Sequence, residues 1–535
     1  MGKADLAKEP YGCSATPADI LRDVAHRVEA RLGKIAIAGR IHHYPKRRLE
    51  DDYEVERRTL GVGSSGAVLS AWSLHTNGGL AVKRLKVRGC SLENVHAMVD
   101  ELEVAVCADH PHVVRLVDIY SSQDYIYLVM QRQRGGSLSD RIFKEGKFKR
   151  IPEQSAVDFT RQMLMAVNHL HRMGFAHRDV RPQNFLLDDR DSNFLRLINF
   201  GYSRLASKKN GGTSQRFGPL AYIAPEMIAG HGGGRSSDLW SIGVITFVML
   251  FGHLPFGEDS RAVLNGKART PEAQWRQVSR QAACFLRKLL VVDAGRRPTA
   301  EQALADPWLL GTVGSSEVGR SAGLDRHVAS AFVHFSRATK LRQGCWRLMA
   351  RSAAAEERSA CERVFLDIVG DRSGVLKPSD LPRLLNSRSG READRKVKST
   401  MGTFTSLYSG EFIAYSDFVA AMLSLNDHRG VLELTLQRFD SHSGDMTAKS
   451  LCNKLGLKVP VESANSQVPI AVADLVLYLS CPELGAGRDT RLTMASELSR
   501  LQSMTASRMA ESSCWQASRL TEGLGHMLVR LCSLA

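Results

Sequence analysis

The sequence lacks the cysteine arrangements from which disulfide frameworks and zinc sites are built. Its 10 cysteines are scattered, with no C-x-x-C pair and no compact group of cysteine and histidine. Isolated cysteines of this kind are typical of reduced thiols in the cytosol. We therefore expect a cytoplasmic protein without structural zinc.

A secretory signal and a clear membrane span are also missing. No apolar stretch follows a basic segment at the N-terminus. The most apolar run, residues 239–256, is marginal in length for a bilayer span and contains His253 and Pro255. We interpret this run as a buried core helix.

Lipid attachment has only incomplete support in the sequence. Met1 and Gly2 open the chain as a myristoylation signal does, but Leu6 stands where serine or threonine is expected. Cys13 could accept palmitate. Two alternatives therefore stay open: weak membrane association through Gly2 or Cys13, and a protein without a lipid anchor.

The composition is that of a folded globular protein. Hydrophobic residues make up 43% and charged residues 24% of the 535 positions, which excludes wholesale disorder and fibrous structure. This length predicts about three domains. Lys and Arg outnumber Asp and Glu by 72 to 56, and the net charge of +16 permits acidic proteins, nucleic acids or anionic membranes as partners without selecting among them. We expect a protein substrate or regulated protein partner and no specific nucleic acid.

The pattern along the chain changes at Tyr53 and again after residue 136. Residues 1–52 show little sustained periodicity and are expected to form a solvated leader. After Tyr53, β-rich runs separated by turns and one helical stretch over 92–106 predict a small twisted sheet with one helix. Beyond residue 136 helical periodicity dominates, as in 154–173. The runs expected to be strands are 54–60, 67–72, 80–85, 113–119 and 125–130.

A glycine-rich stretch between two of these runs is typical of a phosphate-binding turn. Gly61, Gly63, Gly66 and Val68 fit the pattern G-x-G-x-x-G-x-V, in which glycines let backbone N–H groups approach phosphate oxygens. A dinucleotide-binding fold would place a helix directly after the third glycine, whereas here a strand follows and ends at Lys83.

The ammonium of Lys83 needs a carboxylate to hold it over the phosphates. Glu101, on the predicted helix, is the candidate for this ion pair. Glu103 is its competitor, and we expect it to face solvent.

The strongest signal is a series of motifs in one order. An H-R-D-x-x-x-x-N segment is followed by an N-F-G triplet and then by an A-P-E triplet. The residues are His177, Arg178, Asp179 and Asn184 in the first motif, Asn199, Phe200 and Gly201 in the second, and Ala224, Pro225 and Glu226 in the third. With these motifs the chain resembles the eukaryotic protein kinase family over roughly residues 53–308.

The resemblance implies roles for individual residues and implies ATP as a ligand. Asp179 would accept the proton of the substrate hydroxyl, Arg181 would lie beside the transferred phosphate, and Asn184 would bind magnesium. The residues that would hold ATP are Gly61, Gly63, Gly66, Lys83 and Glu101, with Val68, Ala81, Met130, Gln131, Gln133 and Leu186 around the adenine. The residues implied to be structural are His177, Arg178, Phe200, Gly201 and Asp238, together with Glu226 and Arg297, which would form the family's buried ion pair in the large lobe.

Several residues depart from the family's pattern. Asn199 replaces the metal-gripping aspartate, so a neutral amide stands where divalent ions prefer a carboxylate. Arg181 replaces the usual lysine, and Pro219 stands where active Ser/Thr kinases usually carry a threonine. We expect Asn184 and Asn199 to hold magnesium, or manganese as its alternative, only weakly.

Two hypotheses about activity stay open. The first is a pseudokinase or weakly active Ser/Thr kinase that works mainly through binding, which Asn199 and Pro219 favour. The second is a working ATP-dependent Ser/Thr kinase, which the retention of Lys83, Glu101 and Asp179 favours.

Residues 326–349 carry apolar side chains at helical intervals among arginines, which predicts a basic amphipathic helix. After a kinase domain, this segment resembles the junction of calcium-dependent protein kinases of plants and alveolates. There it blocks the active site until a fused calmodulin-like domain captures it. An ordinary helix packed on a helical domain is the alternative.

Three later loops resemble eroded EF-hands. The first keeps Asp371 and Ser373 but has Val369 at position 1 and only Asp380 at position 12. The second, over 406–418, and a third, which begins at Phe439 and reaches Ser450, also lack ligands, and a fourth is not recognised. We expect a calmodulin-like domain that binds little or no calcium.

The expected architecture is an α+β bilobal protein kinase fold followed by an all-α EF-hand-like domain. The expected segments are a leader (1–52), a kinase domain (53–308), a linker with the junction helix (309–350), a degenerate EF-hand-like domain (351–481) and a helical tail (482–535).

Overall fold

The computed structural model describes most of the chain up to residue 369 and shorter pieces beyond it. The described residues are 15–32, 40–43, 45–63, 66–75, 78–201, 203–205, 220–268, 270–311, 322–353, 355–369, 376–377, 413–425, 446–447, 451–452, 455, 457, 469–470, 475, 498–499 and 501–504. They belong to two compact units. One unit is drawn from Met1–Val333 with Ala353–Val419, and the other from His334–Ser352 with Ala420–Ala535.

A twisted sheet and one helix form the small lobe of the first unit. The strands are β1 (Ile41–His43), β2 (Tyr53–Gly63), β3 (Gly66–Ser73), β4 (Gly79–Lys86), β5 (Leu116–Ser121) and β6 (Tyr125–Gln131), in the spatial order β1-β5-β6-β4-β3-β2. Helix α2 (Leu92–Cys107) begins after Ser91, whose hydroxyl accepts a hydrogen bond from the Asn94 backbone. Strands β2 to β6 and helix α2 match the elements that the sequence predicts.

The prediction that residues 1–52 form a solvated leader is wrong for the described part of that segment. Helix α1 (Pro17–Leu32) has a continuous buried face, and β1 adds a parallel strand beside β5. Four residues of α1 are at most 1% exposed and belong to the main core; they are Ile20, Leu21, Val24 and Val28. Their spacing fits one helical face, but many charged residues between them conceal the pattern in the sequence.

A buried polar network fixes the chain between β1 and β2. Arg47 donates two hydrogen bonds to the Asp52 carboxylate, at 2.7 and 2.5 Å, and the Tyr120 hydroxyl donates a third at 2.5 Å. The Tyr53 hydroxyl donates to Asp118. Burial raises the pKa of Asp52, but the hydrogen bonds from Arg47 and Tyr120 outweigh it and lower that pKa to about 2.

The large lobe is mainly helical. Its helices are α3 (Leu138–Ile142), α4 (Glu153–Arg172), α5 (Pro225–Ile228), α6 (Arg235–Phe251), α7 (Ser260–Asn265), α8 (Glu272–Trp275), α9 (Arg280–Leu289), α10 (Ala300–Leu304) and α11 (Pro307–Leu310). Short antiparallel pairs join β7 (Phe143–Lys144) to β8 (Lys147–Phe148), β9 (Phe175–Ala176) to β12 (Arg204–Leu205), and β10 (Phe185–Leu187) to β11 (Leu195–Leu197).

Helix α6 confirms the interpretation of the apolar run near residue 240 as a core helix. Trp240 is fully buried and stacks on Phe256 with ring centroids 5.2 Å apart. The helix ends at Gly252, whose φ of 72° is left-handed and suits glycine. Among the described helices, none is long and apolar enough for a bilayer span.

Among the described residues, four further helices with defined bounds follow the large lobe in the chain. They are α12 (Ala322–Arg337), α13 (Lys340–Ser352), α14 (Ala355–Val369) and α15 (Tyr415–Leu423). The expected single helix over 326–349 is thus two helices, because the chain breaks near Thr339. The Gln343 side-chain amide donates to the carbonyls of Phe335 and Ala338, each at 3.0 Å, and so satisfies the end of α12.

The C-terminal part is not all-α, in contrast to the sequence-based expectation. Leu376 and Ile413 form an isolated antiparallel bridge in the first unit. In the second unit, β13 (Met446–Thr447) pairs antiparallel with β14 (Pro469–Ile470). Short strand pairs of this kind carry little periodicity, so the sequence does not reveal them.

Candidate active site

The glycine-rich stretch forms the hairpin between β2 and β3. Gly61 lies opposite Val68, and Gly63 lies opposite Gly66. Gly66 has a φ of 147°, and a Cβ atom there would lie 2.0 Å from the backbone oxygen of Arg84. Only glycine fits at that point, because β4 passes directly against the backbone.

Strand β4 and helix α2 bring Lys83 and Glu101 together. The Lys83 ammonium donates a hydrogen bond to the Glu101 carboxylate, and both side chains are buried. Lys83 Nζ also lies 3.3 Å from Asn199 Oδ1. The pair that the resemblance implies is therefore formed, and it faces the Asn199 side chain.

Glu103 does not face solvent, contrary to the expectation from sequence. Its side chain is 2% exposed and its carboxylate lies 2.8 Å from Arg31 Nε. The error has a simple cause: α1, which covers this face of α2, was expected to be unstructured.

Asp238 at the start of α6 holds the segment that begins at His177. Its carboxylate accepts hydrogen bonds from the backbone N–H groups of His177 at 2.9 Å and Arg178 at 2.8 Å. His171 Nε2 lies 2.8 Å from the same carboxylate. Burial opposes the charge, but these hydrogen bonds and the histidines hold the pKa of Asp238 below its ordinary value. The contacts fix Arg178 in a left-handed conformation with a φ of 66°.

Asp179 lies between a guanidinium and an amide. The Asn184 amide donates to the backbone oxygen of Asp179 at 2.7 Å and to its Oδ2 at 2.8 Å. Arg181 Nε lies 3.3 Å from the same Oδ2. The three residues therefore form one connected group with the carboxylate at its centre.

Asn199 connects this group to Lys83. Its Nδ2 lies 3.5 Å from Asn184 Oδ1, while its Oδ1 accepts from Lys83. The φ of Asn199 is 66°, a left-handed conformation that asparagine adopts more readily than most residues. Phe200 is buried against the ring of His177, with centroids 5.9 Å apart, and precedes Gly201. The two amides that would bind a metal are thus hydrogen-bonded to each other.

The residues expected around an adenine lie on neighbouring strands and on the connection that follows them. Ala81 of β4 lies opposite Met130 of β6, and the chain leaves β6 at Gln131, whose N–H donates to the Arg115 carbonyl at 3.0 Å. Gln133 donates from its side chain to the Gln131 carbonyl at 3.3 Å. The remaining expected residues are Val68 on β3 and Leu186 on β10.

Glu226 and Arg297 form the ion pair that the resemblance implies. Both guanidinium Nη atoms donate to the Glu226 carboxylate at 2.8 Å, and Ser237 Oγ donates at 2.7 Å. Burial opposes the charge of Glu226, but Arg297 more than compensates and lowers its pKa. This pair ties α5 to the end of the large lobe and lies among structural rather than reacting groups.

An attachment site for α14 is absent from the sequence-based prediction. Arg196 of β11 donates to both carboxylate oxygens of Glu362, at 3.1 and 2.8 Å, and to the Pro111 carbonyl at 2.6 Å. Arg115 donates to the Ala353 carbonyl at 2.9 Å. An arginine inside the apolar run 194–198 is the signal that could have revealed it, since a buried charge requires a partner.

Several expected site residues lie outside the described residues. They are Pro219, Asp371, Ser373, Asp380, Gly2 and Cys13. Within the described part of the chain, no group of three or more His, Cys, Asp or Glu side chains is arranged to hold a metal ion. Leu376 and Ile413, which lie in the first two segments expected to resemble EF-hand loops, are paired, because the Ile413 N–H donates to the Leu376 carbonyl at 2.8 Å.

Comparisons with known proteins relate these observations to a family. The sequence profile of the family described as "Protein kinase domain" matches residues 53–309. The "Calcium/calmodulin-dependent protein kinase cmkA" of Emericella nidulans is 38% identical over 263 residues, which are 48% of this chain and 61% of that protein. This chain therefore spans less than two thirds of the length of that fungal relative.

Two relatives match far beyond the catalytic motifs. "Calcium-dependent protein kinase 3" of Plasmodium berghei is 28% identical over 76% of this chain and 73% of its own length. "Calcium-dependent protein kinase 11" of Oryza sativa subsp. japonica is 30% identical over 77% of this chain and 72% of its own length. The similarity thus includes part of the sequence that follows residue 309.

Proposed function

Because this chain belongs to the protein kinase family, we propose that it binds ATP beside Lys83 and Asp179 and transfers phosphate slowly or not at all. In this proposal it works mainly through binding to a protein partner. The ligand supplies a triphosphate whose terminal phosphoryl group can pass to a protein hydroxyl. The chain supplies the contacts that hold and orient it.

The residues present fit a nucleotide. Backbone N–H groups of the β2–β3 hairpin can approach phosphate oxygens because Gly61 and Gly63 carry no side chain and have open space around them, and Lys83 presents an ammonium fixed by Glu101. In this proposal Asp179 accepts a hydroxyl proton, and Arg181, whose Nε lies 3.3 Å from Asp179 Oδ2, neutralises a phosphate oxygen beside it.

The same residues fit magnesium poorly, and this carries the proposal. The two prospective ligands, Asn184 and Asn199, are neutral amides that hydrogen-bond to each other. Divalent hard cations prefer carboxylates, and the loss of one preorganised charge commonly costs about 10² to 10³ in rate. We therefore assign weak or absent phosphoryl transfer to the presence of Asn199.

An active Ser/Thr kinase is the second candidate, and a specific observation favours it. The Lys83–Glu101 pair is formed, Asp238 holds the segment at His177, and Phe200 is buried beneath that segment. All these parts are assembled, so the case against activity rests on the metal ligand Asn199 and on Pro219, which lies outside the described residues.

Phosphate incorporation separates the candidates. The full chain would be assayed on a generic Ser/Thr substrate with magnesium or manganese, beside Asn199→Asp and Asp179→Asn. We expect little turnover by the wild type and an increase of about 10² to 10³ in Asn199→Asp. Robust wild-type turnover that Asp179→Asn abolishes and Asn199→Asp barely raises would overturn the first candidate.

We further propose a degenerate EF-hand-like domain after the kinase domain, with little or no calcium affinity. The alignments with the relatives named calcium-dependent protein kinases are long enough to extend beyond residue 309. The Leu376–Ile413 bridge supports paired loops, because each residue is the eighth of its predicted loop. Backbone pairing and buried apolar residues can hold such loops without metal.

Calorimetric titration of the full chain with calcium tests this second proposal. We expect no heat of binding at micromolar calcium, because position 1 of the first loop is Val369 and position 12 is the short Asp380. Binding at micromolar concentration would refute the proposed loss of affinity.

A further inference from the structure

Helix α1 lies on the outer face of α2 and shares its hydrophobic core. Ile20, Val24 and Val28 are fully buried and belong to the same cluster as Val99 and Leu102 of α2. Burial of this extent removes several aliphatic side chains from water and stabilises the contact. The N-terminal helix is therefore a component of the small lobe.

A set of matched charges fixes the register of the two helices. Arg27 and Arg31 are four residues apart on α1, and Asp100 and Glu103 are three apart on α2, so each pair lies on one helical face. Arg31 Nε lies 2.8 Å from Glu103, and Arg27 Nη1 lies 3.5 Å from both acids. The acidic side chains are only 9% and 2% exposed, so they depend on the arginines for neutralisation.

Arg31 also connects α1 to the large lobe. Its Nη1 donates to the Met173 carbonyl at 3.1 Å, directly after α4. The guanidinium lies over the ring of Phe175, 4.8 Å from its centroid. One side chain thus joins the outer face of α2 to the large lobe at β9.

Glu101 and Glu103 lie on opposite sides of α2, because residues two apart on a helix point in opposite directions. Glu103 is held by Arg31, whereas Glu101 holds Lys83. Lys83 lies on β4, so a displacement of α2 away from that strand would separate Glu101 from Lys83.

We propose that α1 positions α2, with Arg27 and Arg31 as positioning residues that keep Glu101 on Lys83. The consequence for nucleotide affinity rests on the proposed function, whereas the consequence for α2 itself does not. In this proposal the helix that covers this face of α2 is α1, which belongs to the same chain.

Hydrogen exchange tests the positioning role directly. In the full chain, Arg31→Met keeps much of the aliphatic contact and removes the charge, while Arg22→Met is the matched control on the same helix, where the side chain is 68% exposed. We expect amide exchange in 92–107 to rise about tenfold in Arg31→Met and to stay unchanged in Arg22→Met. Unchanged exchange in Arg31→Met, or an equal rise in the control, would overturn the proposal.

A conservative variant covers the case in which Arg31→Met does not fold. Arg31→Lys keeps the charge near Glu103 but cannot reproduce the fork that also reaches Met173. In Arg31→Lys we expect an amide exchange rate in α2 between that of the wild type and that of Arg31→Met. If Arg31→Met does not fold, we expect Arg31→Lys to raise this rate by less than tenfold. Wild-type exchange in Arg31→Lys together with wild-type exchange in an Arg27→Met variant would contradict the proposal.

Nucleotide affinity tests whether the effect passes through Glu101. Binding of a fluorescent ATP analogue would be measured for Arg31→Met in the wild-type and Glu101→Gln backgrounds. We expect about tenfold weaker binding in the first background and no further change in the second, because the two residues act in series. Equal weakening in both backgrounds would refute action through Glu101.

The two proposals fail in different ways. No binding of the analogue by the wild type would refute the proposed nucleotide site, and the exchange experiment would still decide the role of α1. If the wild type binds the ATP analogue and amide exchange in α2 is unchanged in Arg31→Met, the role of α1 is refuted and the nucleotide site is not.

Discussion

Removal of the Arg196 guanidinium should weaken the attachment of α14 to the kinase domain. Arg196 of β11 contacts both carboxylate oxygens of Glu362 and the Pro111 carbonyl. The side chains of the two partners are 4% and 7% exposed. Arg196→Met removes the charge and retains an unbranched apolar side chain of similar length.

The burial of the pair sets the expected magnitude. After Arg196→Met, the Glu362 carboxylate stays buried without a cation, and loss of one partner of a buried pair costs about 3 to 5 kcal/mol. Replacement of both partners by methionine leaves no uncompensated charge, so its cost should be smaller by about 2 to 3 kcal/mol. The double variant should therefore be more stable than the Arg196→Met variant.

Urea unfolding with a double-mutant cycle measures this coupling, and hydrogen exchange of 355–369 locates it. Arg363→Met is the matched control, because Arg363 is exposed on the same helix. We expect faster exchange throughout α14 in Arg196→Met and none of this change in the control. Additive effects of Arg196→Met and Glu362→Met, with wild-type exchange in α14, would refute the reasoning.

Three further results are expected. Burial lowers the pKa of His169 from 6.5 to about 4, and its Nε2 accepts the Asp109 N–H at 3.0 Å. The contribution of neutral His169 to the free energy of unfolding is complete above pH 6.5 and is lost as the pH falls toward 4, at about 1.4 kcal/mol per pH unit. In His169→Gln, the free energy of unfolding measured with urea should depend less on pH over that range. An unchanged pH dependence in this variant would exclude His169 as its source. Gly66→Ala should cost at least about 2 kcal/mol in thermal unfolding, whereas Gly61→Ala, with open space around its Cβ position, should cost far less. In a thermal-shift assay, magnesium should increase stabilisation by ATP in Asn199→Asp and hardly at all in the wild type; an equal magnesium effect in both would contradict weak metal binding.

The kinase-like core could be predicted from the sequence because its determinants are local. Glycines at fixed spacing, the lysine that ends β4 and the segment at His177 are read from a few neighbouring residues each. Their joint order also gave the expectation of the Lys83–Glu101 and Glu226–Arg297 pairs, which the structure contains. β-Rich runs between turns were sufficient to predict strands β2 to β6, and the helical periodicity of apolar residues was sufficient to predict helices α2, α4 and α6.

The N-terminal helix and the environment of Glu103 could not be read in this way. The buried face of α1 is narrow, and the charged residues beside it look solvent-exposed until Asp100 and Glu103 of α2 are placed opposite them. The break between α12 and α13 was missed for a related reason: Gln343 satisfies the free carbonyls only when α13 has folded back.

The amino-acid sequence alone determined the family, the order of the site residues and the replacement of a metal-binding carboxylate by Asn199, since these depend on residue identity and short-range spacing. Only the tertiary structure decided that Asn199 bonds to Asn184 and Lys83, that α1 covers α2, and that Glu362 neutralises Arg196. Those facts depend on which buried charges and amides meet across long separations in the chain. The packing of whole helices and strands determines these contacts, because a buried polar group needs a hydrogen-bond or ionic partner and the fold brings that partner from a distant part of the sequence.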